Sequence, residues 1–173
     1  MAVDMVQHPN SILAEIRSLQ PEDLLVLFTP AVLPAVPPPP GGDAGMDPFE
    51  PFGRALSEHH KRIRHVPYVP RDGMTDIHLG FLQKARAVVI VVCNPPNVEN
   101  IGYEDQRAFA QAVLGQISSN QNIPVVLVLI TGNQSQRIED FSKFEEVQQS
   151  DSYTSSALQK ISDHILGPEH LQD

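Results

Sequence analysis

The chain has 173 residues, with 12 Lys and Arg against 21 Asp and Glu and a formal net charge of -9. That balance argues against a nucleic-acid partner, because phosphate contacts need clustered cations. A hydrophobic share of 41% with 19% charged residues excludes a wholly disordered chain, and the length suits one domain. Cys93 is the only cysteine, which rules out an intrachain disulfide and a cysteine-based zinc cluster.

The opening MAVDMVQHPN carries Asp4 and lacks the basic start and apolar run of a secretory signal. No stretch approaches the roughly 20 apolar residues of a bilayer-spanning helix. The expectation is a cytoplasmic protein with no membrane partner. Residues 1–22 form a lead-in in which Ile12, Leu13, Ile16 and Leu19 make a short amphipathic helix that stops before Pro21. A domain spanning residues 23–168 follows, with 169–173 as a tail.

DLLVLFT (23–29), IRHVPY (63–68), AVVIVVC (87–93) and PVVLVLI (124–130) read as strands. Three of them are continuously apolar, the pattern of strands covered on both faces of a parallel sheet. Helical spacing lies between them. Phe49, Phe52, Leu56 and His59 or His60 recur behind Asp47 and Pro48; Ile77, Phe81, Leu82 and Ala85 recur behind Thr75; Phe109, Val113 and Ile117 make the next stripe. A closing helix over 153–166 uses Leu158, Ile161 and Ile165 and stops at Gly167-Pro168. Alternation of this kind predicts an α/β three-layer sandwich with a mostly parallel, Rossmann- or flavodoxin-like sheet. Residues 30–47 contain a proline run and a diglycine and read as an exposed loop. Phe141 and Phe144 suggest a short turn laid over the sheet.

In such a sheet the loops after the strands are the places to search for chemistry. No Gly-x-Gly-x-x-Gly or Gly-x-x-x-x-Gly-Lys-Ser/Thr motif occurs, so no nucleotide cofactor is expected. The seven histidines lack His-Glu-x-x-His spacing, no metal is expected, and His59-His60 beside Lys61, Arg62 and Arg64 reads as a solvated basic corner. Cys93 ends the most apolar strand and reads as a buried small hydrophobe rather than a nucleophile. In the 94–106 segment, Glu104 and Asp105 suit the first turn of a helix, where carboxylates complement the dipole. Glu99 has no such structural role and is the one polar candidate for catalysis; no catalytic residue is assigned beyond it. Asn94, Glu99 and Asn133 are the candidate ligand-binding residues.

ARAVVIVVCN, Gln106 opening a helix, NIPVVLVLITGN and IEDFSKFEEVQQSDSYTSSALQKISDHILG resemble, in that order, the C-terminal α/β-sandwich domain of glycoside hydrolase family 3. The resemblance is nearest to its β-N-acetylglucosaminidase branch, fungal type. Gln106, Asn133, Tyr153-Thr154 and Ile165-Leu166-Gly167 stand at the places that carry it, and DPFEPFGRALSEHHKRIRHVPY and GMTDIHLGFLQKA extend it upstream. The family places its nucleophile on a preceding TIM barrel, and this branch places its acid-base His and Asp there too. A barrel needs about 250 residues, so none of those roles transfers to this chain. In the β-glucosidase branch an acid-base Glu comes from this domain, broadly where Glu99 lies. The resemblance implies an accessory domain, non-catalytic alone, whose partners are a catalytic barrel in cis or in trans and a glycan. The alternative is an independent flavodoxin-like module that binds a small ligand or a protein. A self-sufficient hydrolase using Glu99 and Glu104 is the third class.

Overall fold

The computed structural model describes residues 11–32, 47–95, 101–131 and 139–168. It shows a five-stranded, wholly parallel sheet in the order β2-β1-β3-β4-β5, with helices on both faces. The strands are β1 (Leu25–Pro30), β2 (Ile63–Tyr68), β3 (Ala87–Cys93), β4 (Val125–Ile130) and β5 (Glu146–Ser150). The helices are α1 (Ser11–Arg17), α2 (Glu50–His59), α3 (Asp76–Lys84), α4 (Tyr103–Asn120) and α5 (Ser155–Leu166).

The sequence dictates this order of layers. β1, β3 and β4 are buried at every residue, because their Val-, Leu- and Ile-rich runs can only be satisfied by cover on both faces. Leu25, Leu27, Val89 and Val128 turn toward α1, α2 and α5, where Ile16, Phe52, Leu56 and Ile165 meet them. The alternate residues Val26, Phe28, Ile90 and Leu127 turn toward α3 and α4, against Leu82, Phe109 and Val113. Phe141 and Phe144 close that second layer from a short turn, as their spacing suggests. Arg17, at the end of α1, donates to the His164 and Ile165 carbonyls at 2.7 and 3.2 Å and so caps the end of α5.

Some expectations need correction. β5 is a strand that periodicity does not reveal: EVQQS holds a single apolar residue, Val147, and an edge strand paired only with β4 needs little more. Ile77 is 66% exposed, and His78 takes the inward position instead. The Thr75 N–H donates to His78 Nδ1 at 3.0 Å, which leaves Nε2 as the donor to the Pro67 carbonyl at 3.2 Å. The basic corner is not wholly solvated either. His60 is buried with Nε2 at 2.6 Å from the Asp23 carbonyl, and His59 Nε2 lies 2.8 Å from Asp163 Oδ1.

Candidate functional site

The sheet order changes direction between β1 and β3, and in open parallel sheets the crevice outside the carboxyl ends at such a point is the usual ligand site. Here β1 and β3 stop pairing at Phe28 with Ile90. β1 continues beside β2 to Pro30 with Tyr68, and β3 continues beside β4 to Cys93 with Ile130. A gap therefore opens between the last residues of β1 and β3.

Backbone direction decides what faces the gap. The Ala31 N–H donates to the Tyr68 carbonyl at 2.9 Å and the Asn94 N–H to the Ile130 carbonyl at 2.6 Å. Strand alternation then turns the backbone groups of Pro30, Val91 and Cys93 into the gap. Pro30 has no N–H, so the Val91 carbonyl lacks a donor on β1.

Two buried side chains supply the missing partners. The Tyr68 hydroxyl donates to the Val91 carbonyl at 2.7 Å. The Gln106 Oε1 accepts the Cys93 N–H at 2.7 Å, while its Nε2 donates to the carbonyls of Cys93 at 3.0 Å and Ile101 at 2.8 Å. A carboxamide offers C=O and N–H side by side as a peptide does, so Gln106 acts as a short substitute strand. Gln106 reaches this position from the first turn of α4, which the chain enters through Gly102 in the left-handed region at φ 70°. The Tyr68 ring lies flat on Phe109 with centroids 3.8 Å apart, and Phe28 meets Phe109 edge-on. Burial, with a smaller contribution from the Cys93 thiol, holds the Tyr68 hydroxyl well above its ordinary pKa, so its proton stays available for the bond.

The candidates among the described residues around the gap have structural roles. Cys93 is fully buried and burial pushes its thiol up to about 12, far from a thiolate at neutral pH. Glu104 and Asp105 occupy the first turn of α4, and Glu104 pairs with Arg107 at 3.0 Å. Arg107 and the Tyr103 hydroxyl both reach Asp140, at 3.5 and 2.8 Å, tying α4 to the turn that holds Phe141. Asn94 is half-buried and extends the pairing of β3 with β4 through its N–H. Glu99 and Asn133 lie outside the described residues.

A cluster that sequence reading missed joins Thr29, His65 and Asp47 at the end of β1. Thr29 Oγ1 is 2.6 Å and Asp47 Oδ2 3.6 Å from His65 Nε2. A nucleophile relay needs a partner on each ring nitrogen, whereas both groups here share one, and Thr29 is completely buried. Burial lowers the His65 pKa against the opposing pull of Asp47 and Glu50, which favours the neutral ring. Among the described residues no group of three His, Cys, Asp or Glu could hold a metal ion, and no helix is long and apolar enough to cross a membrane.

Compared with family models, curated proteins and solved structures, the chain gives no match in any of the three.

Proposed function

We propose that this chain is the C-terminal accessory domain of a family 3 β-N-acetylglucosaminidase-like glycoside hydrolase. In this reading it packs on a catalytic barrel, performs no hydrolysis alone and helps to complete the barrel's substrate face toward a glycan. The observation that carries the non-catalytic part is the closure of the β1–β3 gap by Tyr68 and Gln106, which places the domain's own polar groups where a ligand-binding module would hold its ligand. The family part is supported by the order of segments. ARAVVIVVC runs into β3, Gln106 lies in the first turn of α4, NIPVVLVLI leads through β4, and Tyr153-Thr154 leads into α5, which ends before Gly167.

The test is association. The purified chain is titrated, by isothermal calorimetry, into a family 3 β-N-acetylglucosaminidase barrel expressed without its C-terminal domain. The expected result is saturable binding with a rise in the barrel's turnover of a chromogenic N-acetylglucosaminide. No binding, or binding that leaves the barrel's rate unchanged, removes the accessory-domain reading.

A further inference from the structure

The chain carries a net charge of -9, yet most of its unpaired cations gather at one place. Arg54, Arg71 and Arg107 pair with carboxylates. Lys61, Arg62, Arg64, Lys84 and Arg86 are all exposed and form no ion pair among the described residues. Elsewhere among those residues, Lys143 and Lys160 alone share that state.

Strand register brings the five together. The Leu25 N–H donates to the Arg62 carbonyl at 3.0 Å and the Arg86 N–H to the Leu24 carbonyl at 2.8 Å. Arg62 and Arg86 therefore flank Leu24 across two strand spacings, about 10 Å. Arg64 pairs with Val26, about 7 Å along the strand from Arg62. Leu24, Val26 and Val88 pack toward α3 and α4, so alternation turns the three arginines to that face, where Lys84 ends α3. Arg62 Nη1 is anchored on the Glu22 carbonyl at 2.8 Å. The negative end of α3 accounts for Lys84, and protection of an edge strand accounts for Arg64 on β2. Neither accounts for Arg86, which leads into the inner strand β3.

The neighbouring carboxylates do not cancel this patch. Glu22 and Asp23 lie beside it, and the Asp23 carboxylate accepts from the Gln20 N–H at 2.8 Å. Glu58 accepts from Gln159 on the α5 side, and the ends of α3 and α4 meet through the neutral Gln83, Gln116 and Gln121. His59 and His60 are engaged with Asp163 and the Asp23 carbonyl and are not counted. Five cations thus stand against two carboxylates.

We propose that this rim takes a short acidic segment of a partner protein, whose carboxylates seat on the guanidinium groups of Arg62, Arg64 and Arg86. The footprint favours a short segment over a membrane or a long sulfated glycan. Further along the same end of the sheet, Glu15 and Glu145 border a groove of about 340 Å³, and a charged plane or a long polyanion would run onto them. The exposed large apolar side chains, Val69 and Ile77, lie toward the other end of β2 and α3, away from any bilayer contact made here. The proposal does not rest on the domain's place beside a barrel.

The probe is a fluorescein-labelled peptide, Gly-Glu-Glu-Asp-Glu-Gly, followed by fluorescence anisotropy at low salt. Saturable binding is expected, weakening steeply as salt rises. Arg64→Glu combined with Arg86→Glu is expected to lower the affinity by about ten-fold or more. Lys143→Glu combined with Lys160→Glu changes the net charge equally and is expected to leave the affinity within about two-fold. Amide NMR of the unaltered chain provides a readout that needs no variant: the peptide is expected to shift residues 61–64 and 84–86 while leaving Lys143 and Lys160 in place. Equal losses in the two double variants, no saturable binding, unmoved amides at 61–64 and 84–86, or tighter binding of phosphatidylserine vesicles or a heparin oligosaccharide than of the peptide would each overturn the proposal.

Discussion

Replacing Tyr68 by Phe keeps the ring on Phe109 and removes only the hydroxyl that donates to the Val91 carbonyl. That carbonyl is then buried opposite Pro30, which has no N–H to replace the lost donor. An unsatisfied buried acceptor costs about 1–3 kcal/mol, or roughly 2–12 °C in Tm for a domain of this size. Pro30→Ala restores an N–H pointing into the gap, so its effect should depend on the residue at 68. Chemical unfolding of the single and double variants, followed by circular dichroism, gives the cycle. Tyr68→Phe should destabilise, and Pro30→Ala should recover part of the loss only when combined with Tyr68→Phe, with a coupling of about 0.5–2 kcal/mol. A loss of a few tenths of a kcal/mol, or additive effects, would refute the reasoning that Tyr68 replaces a strand bond.

Gln106→Leu leaves the Cys93 N–H and the Cys93 and Ile101 carbonyls without partners, and a loss of about 3 kcal/mol or more is expected in the same unfolding assay. Gly167→Ala should cost about 1–3 kcal/mol, because a Cβ there runs into the Asp163 carbonyl at the end of α5; an unchanged Tm would contradict it. Cys93, ordinarily titrating at 9.0, is raised to about 12 in the fold. Its contribution is therefore intact below pH 9 and is lost as pH rises toward 12, at up to about 1.4 kcal/mol per unit. Cys93→Ala should flatten that alkaline slope in a pH series of urea midpoints. His65 works in the opposite sense: burial lowers its pKa, so stability holds above its ordinary 6.5 and falls as acid protonates the ring. His65→Gln should reduce the acid-side slope.

The inner strands are legible because continuous Val, Leu and Ile admits little but a doubly covered parallel sheet, and the same apolar run marks Cys93 as the buried thiol it is. β5 is not legible, since an edge strand takes half its environment from solvent and its Gln residues carry no periodic signal. The gap residues are hidden for another reason. Tyr68 and Gln106 acquire their roles only once β1 and β3 part, and that parting is a property of the sheet order rather than of either segment. Pro30 is the available clue, since a proline ending a buried strand leaves a neighbouring carbonyl without a donor. The Thr29, His65 and Asp47 cluster depends on the pairing of β1 with β2, which brings residues far apart in the chain together.

The most direct test of a non-catalytic scaffold is turnover itself. The purified chain is incubated with a chromogenic N-acetylglucosaminide and the matching glucoside, beside a Glu99→Gln variant. No hydrolysis above the blank is expected from either protein, whereas turnover that Glu99→Gln abolishes would contradict the scaffold reading and put an acid or nucleophile at Glu99.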